Sequence, residues 1–221
     1  MPLFRSAWCL VALAAVPFAP DRSRRPMARP LTVVPGASAV RALMGPRQDD
    51  SSRGTLTATG TMSLPRMAHT ATTLPDGRVL VAGGFTSEER VAHGAEGYEP
   101  GTGRFAALPP MVRLRYSHTA TLLPSGKVLI VGGYASGSAQ TTGAEIFDPA
   151  TNAFTPTGSL LSARADHIAV LLTDGRVLIA GGVGPGWTFL SSAELYDPAT
   201  GQFSATGGMT VARESHRAVR L

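Results

Sequence analysis

His69, His118, His167 and His216 stand 49 residues apart three times running. Imidazole is the commonest protein ligand for metals, so one histidine in every copy of a repeat first suggests a metal ring. Geometry opposes that reading. Packed sheets lie about 10 Å apart, and equivalent imidazoles on neighbouring units would be separated by a similar distance, whereas zinc holds its ligands at about 2.0–2.1 Å. The histidines therefore read as hydrogen-bonding parts of the fold, with no metal and no cofactor implied. Arg66, Arg115 and Arg164 keep the same step as Glu96, Glu145 and Glu194. Matching cations and carboxylates predict ion pairs, or arginine bonds to backbone, that fasten each unit, because a partly buried charge is costly without a partner.

Other chemistries fare less well. The run Gly181-Gly182-Val183-Gly184-Pro185-Gly186 looks like a phosphate-binding loop, but such a loop needs a following helix to supply amide donors. Trp187–Leu190 and a strand-like segment follow instead, and Gly181-Gly182 belongs to the repeat along with Gly83-Gly84 and Gly132-Gly133. No Ser, His and Asp set departs from the repeat, and the repeats carry no inserted loop on which a catalytic site could be built. The expectation is a protein that is not an enzyme.

A fixed period this long marks a chain built by stacking copies of one supersecondary unit. In the second copy, His118–Leu122 and Lys127–Val131 are apolar, β-branched runs separated by Pro124-Ser125-Gly126, which predicts a hairpin. Ala144–Asp148 and Ala153–Thr157 flank Pro149-Ala150-Thr151-Asn152, a second turn in which Pro presets φ and Asn tolerates the left-handed region. Each copy is thus a four-stranded antiparallel meander, the arithmetic of a β-propeller blade in an all-β chain.

These residues resemble the kelch repeat: a hydrophobic strand ending in Gly-Gly, a Tyr196-Asp197-Pro198 step, an aromatic seven residues after that Tyr (Phe203), and an Arg ahead of the next first strand. The second aromatic is Phe where kelch blades more often have Trp. The resemblance covers about Asp50 to Leu221 and implies a kelch-type propeller of three complete blades, about 66–109, 115–158 and 164–207, within a repeat region 55–221. It also implies ligand recognition near the face where strand four leads into strand one. Galactose-oxidase-like enzymes, similar in their propeller, need a Tyr crosslinked to a Cys beside two His, and the single cysteine here, Cys9, lies far upstream.

Two orphan strands flank the blades: Leu56–Gly60, aligned with a fourth strand, and His216–Leu221, aligned with a first. Uncovered blade faces predict a partner, either a homodimer or additional blades from another chain. The alternative is an inactive fragment of a longer kelch propeller, that of a galactose-oxidase-like enzyme being one case.

Charge excludes one class of partner. The net charge of +5 resides in residues 1–54, which hold eight Arg against three Asp, while residues 55–221 hold equal numbers of basic and acidic side chains. Neutral blades without basic runs predict no nucleic-acid binding. Arg5 followed by the apolar run Ala7–Ala19 is too short to span a bilayer and predicts a secretory signal over 1–20, hence a secreted or periplasmic protein. Four prolines and seven arginines without periodicity predict a flexible linker over 21–54.

What varies between copies is the loop joining strands two and three. Glu88, Glu89, Arg90 and His93, then Tyr134, Ser138 and Gln140, then Trp187 and Phe189 are expected on one rim of neighbouring blades. Exposed aromatics beside polar groups suit a protein or carbohydrate ligand.

Overall fold

The computed structural model describes residues 57–86, 91, 92 and 94–221. The segments read as signal and linker, and the rim residues Glu88, Glu89, Arg90 and His93, lie outside them. The described chain is all-β and forms three four-stranded antiparallel sheets, each a meander in sequence order. The first consists of β1 (Thr70–Thr73), β2 (Val79–Ala82), β3 (Ala95–Glu99) and β4 (Arg104–Leu108). The second consists of β5 (Thr119–Leu122), β6 (Val128–Val131), β7 (Ala144–Asp148) and β8 (Ala153–Pro156). The third is β9 (Ile168–Leu171) and β10 (Val177–Ala180), then β13 (Ala193–Asp197) and β14 (Gln202–Thr206). Between β10 and β13 a small ribbon pairs β11 (Val183–Gly184) with β12 (Thr188–Phe189). The two loops of blades two and three each contain a single 3-10 turn, Ser136–Ser138 and Pro185–Trp187.

Register repeats with the sequence. Val128 faces Phe147 in the second sheet as Val79 faces Tyr98 in the first and Val177 faces Tyr196 in the third. Every residue of β6 is buried, because the second blade has a neighbour on both sides. Val128, Ile130 and Phe147 pack on Leu74, Leu80, Ala82 and Ala95 of the first blade. Leu129, Val131 and Ala144 pack on Val177, Ile179 and Tyr196 of the third. A strand covered on both faces needs an unbroken apolar run rather than alternation, and each such side chain contributes about 1.5–3 kcal/mol by leaving water.

Both orphan strands are corrected. Thr57–Gly60 and His216–Leu221 adopt no strand. A blade's first strand pairs only with the second strand of the same blade, and His216–Leu221 has no such neighbour among the described residues. The segment before the first blade is held instead by its end, where Gly60 N–H donates to Gly103 O at 2.8 Å.

The arginines lie at the centre of each blade. Arg115 Nη1 donates to Gly132 O and Gly143 O, both at 2.8 Å, and Nη2 donates to Glu145 Oε1 at 2.9 Å. The other carboxylate oxygen, Glu145 Oε2, accepts from Val112 N–H at 2.8 Å. One guanidinium thus ties the end of β6, the entry to β7 and, through Glu145, the chain arriving from the preceding blade. Arg66 with Glu96 and Arg164 with Glu194 make the same set. All six side chains are 0–3% exposed. Burial pulls the Arg115 guanidinium below its usual range, and Glu145 opposes that pull.

The glycine pair follows from the same junction. Gly132 and Gly133 have φ of +63° and +95°, and a Cβ on Gly132 would lie 2.5 Å from Arg164 O of the next blade. Gly133 N–H donates to that carbonyl at 2.9 Å. Only glycine supplies both the left-handed backbone and the room.

Arg115→Ala leaves Glu145 buried without its cation. The expected loss is about 3–5 kcal/mol of stability with no ligand present, measured by urea denaturation; an unchanged midpoint would refute the fastening role. Gly132→Val is expected to abolish folding in the same assay.

Candidate binding rim

The chain entering each first strand forms a ledge from blade to blade. Ser117 N–H donates to Ala68 O at 2.9 Å, Asp166 N–H to Ser117 O at 3.1 Å, and Ser215 N–H to Asp166 O at 2.9 Å. All four residues have positive φ, between 49° and 53°. The repeating histidines sit just beneath. His118 Nε2 shares a 3.0 Å hydrogen bond with Thr70 Oγ1, and His167 Nε2 shares one of 2.9 Å with Thr119 Oγ1. Each imidazole thereby latches its blade to the preceding one. Among the described residues no three His, Cys, Asp or Glu side chains come together as a metal site.

Burial, reinforced by Arg115, holds His118 at about 3, and burial with Arg164 does the same for His167. Both are neutral at pH 7.

Above the ledge runs an aromatic ladder that crosses all three blades. Phe85 meets Tyr116 with ring centroids 5.1 Å apart, Tyr116 stacks on Tyr134 at 5.0 Å, and Tyr134 meets Trp187 at 5.7 Å. Tyr116 and Tyr134 also form an isolated antiparallel bridge, and the Tyr116 hydroxyl bonds Ser138 Oγ at 3.1 Å. Burial, with a further push from Asp166, raises the Tyr134 phenol to about 12.

The rim residues separate into two groups. Trp187 and Phe189 are 68% and 55% exposed, and Ser138 of the second blade is exposed as well. Tyr134 is a correction: only 4% of its surface is exposed, because Tyr116 and Trp187 cover its ring, so it supports the rim rather than forming its surface. Gln140 is half-buried and bridges Tyr134. Two supporting residues, Phe85 and Tyr116, were missing from the sequence reading. Their signal was available, since Tyr116 stands where the other copies have Met67 and Ala165.

Trp187 has φ of +60°. A bulky residue in the left-handed region is a backbone outlier, and such strain gathers at functional positions. Pro185 and Gly186 build the 3-10 turn that imposes it. Its counterpart Ser138 has the same φ of 60°, so the turn is common to both blades while the side chain displayed on it is not.

The family model described as the Kelch motif matches residues 166–210, the span of the third sheet. No curated protein matches the chain. The third sheet thus carries a kelch motif, the three like sheets are consistent with a partial kelch β-propeller, and a kelch motif points to a protein-interaction module. Among the described residues no helix is long and apolar enough to cross a membrane.

The buried histidines predict acid sensitivity. Their folded values lie below the unfolded value of about 6.5, so the unfolded chain binds more protons as pH falls. Stability is complete above about pH 6.5 and declines toward pH 3, by about 1.4 kcal/mol per pH unit for each histidine. Melting temperatures between pH 7 and 4 should fall less steeply in His118→Gln than in the parent chain; identical slopes would refute the assignment.

Proposed function

We propose that the chain is an exported, non-enzymatic binding module that recognises a protein or carbohydrate ligand through the loops joining the second and third strands of its blades. Residues 1–20 serve as the export signal and 21–54 as the linker to the repeat region 55–221, placing the blades outside the cytoplasm. The observation that carries the reading is Trp187, a large aromatic displayed to solvent on a strained turn with its ring backed by Tyr134. A rigid aromatic gives much contact area at little entropic cost on binding. Solvent exposure of so large an apolar side chain has no folding benefit, and strain is tolerated where function needs the geometry.

Phe189 and Ser138 add an apolar and a hydroxyl contact in this reading. Glu88, Glu89, Arg90 and His93 of the first blade complete the rim in this reading. The repeated residues Arg66, His69, Glu96, Arg115, His118, Glu145, Arg164, His167 and Glu194 serve the fold and leave ligand choice to the loops.

The test is binding of the full chain to an oligosaccharide array and to a peptide array. Trp187→Ala should reduce the strongest signal at least tenfold, a loss of about 1.4 kcal/mol or more, while melting temperature changes little. Undiminished binding, or unfolding of the variant, would refute the role of this side chain.

A further inference from the structure

The face of the first blade turned away from the second is uncovered among the described residues. Val79, Tyr98 and Phe105 are only half-buried there, whereas Val128 and Phe147, their equivalents on the second blade, are fully buried against the first. A groove of about 580 Å³ runs over this face, lined by Met62, Val79, Val81, Tyr98 and Phe105. At the opposite end of the chain Leu178 of β10 is half-buried, although its equivalents Leu80 and Leu129 are 1% and 0% exposed.

We propose that these two faces are the halves of one interface, and that the groove of the first blade receives the third blade of a second copy of this chain, packed head to tail. The proposal is independent of the rim. Its template is inside the molecule. The two junctions between blades set Leu80, Ala82 and Ala95 against Val128, Ile130 and Phe147, and then Leu129, Val131 and Ala144 against Val177, Ile179 and Tyr196. A junction between copies sets Leu178, Ala180 and Ala193 against Val79, Val81 and Tyr98, the same kinds of side chain in the same order.

A polar contact marks the same place. Arg78 crosses the first junction, donating to Pro149 O and Asn152 Oδ1, both at 3.2 Å, while it pairs with Asp76. Arg176 holds the equivalent position on the third blade and pairs with Asp174, but its side chain is 45% exposed against 24% for Arg78. The carbonyl of Pro100 in a second copy is its counterpart.

The segments 57–69 and 204–216 are repeat equivalents, so at each junction one arm takes the place of the other. Arg213 fits that exchange. Its side chain meets no carboxylate among the described residues, its guanidinium donating to Val211 O; in the exchange it displaces Arg66, its repeat equivalent, from Glu96 of the second copy. Two identical head-to-tail junctions close a pair with two-fold symmetry.

Light scattering of the full chain at micromolar concentration tests this. The parent should be a dimer. Val79→Glu and Leu178→Glu should each raise the dimer dissociation constant at least 100-fold, and Arg176→Glu, a surface change that leaves the blades folded, at least tenfold. An equimolar mixture of Val79→Glu and Leu178→Glu should recover dimers, because each copy retains the face that the other has lost. Circular dichroism separates lost association from lost fold. A monomeric parent overturns the proposal. A dimer unaffected by Arg176→Glu, or no recovery on mixing folded variants, overturns the head-to-tail arrangement. Open-ended polymers overturn the closed pair.

Discussion

The buried arginine–glutamate pair is the interaction on which each blade depends. Removing a cation and a carboxylate from water costs several kcal/mol per ion, and that cost is offset by the ion pair and the hydrogen bonds around it. Arg115 bonds two carbonyls and Glu145 while its Nε stays buried without a partner, and Glu145 accepts from Arg115 and the Val112 amide. Because the partners come from β6, the entry to β7 and the incoming chain, the pair sets the distance between these segments. The glycine pairs follow, since the carbonyls at Gly83, Gly132 and Gly181 must reach the guanidinium while the next blade closes over them.

Junctions between blades combine an apolar face with a polar latch. Leucine and alanine on one blade meet valine, isoleucine and an aromatic on the next, while His118 and His167 hold the inner strands through threonine hydroxyls. Burial favours the neutral imidazoles, which ties cohesion of the blades to pH.

Period and residue type made the blade legible in the sequence. The hairpin turn at Pro124-Ser125-Gly126 and the four-strand order could be read because they depend on local turn chemistry and on an apolar pattern that recurs every 49 residues. The ends of the repeat were less legible: Thr57–Gly60 and His216–Leu221 carry strand-like composition, but a strand exists only where a neighbour supplies its hydrogen bonds. Exposure on the rim was divided. Trp187 could be placed because it differs from its counterpart Ser138, whereas the burial of Tyr134 depends on Tyr116 and Trp187, which approach it from different segments.

Repetition therefore accounts for the scaffold and departure from repetition for the surface. Replacing Gly184–Leu190 with the equal-length Ala135–Thr141 of the second blade separates the two most directly, read by melting temperature and by binding to the strongest array ligand of the parent chain. The account predicts a melting temperature within a few degrees of the parent and loss of that binding. Retained binding, or a chain that no longer folds, would contradict it.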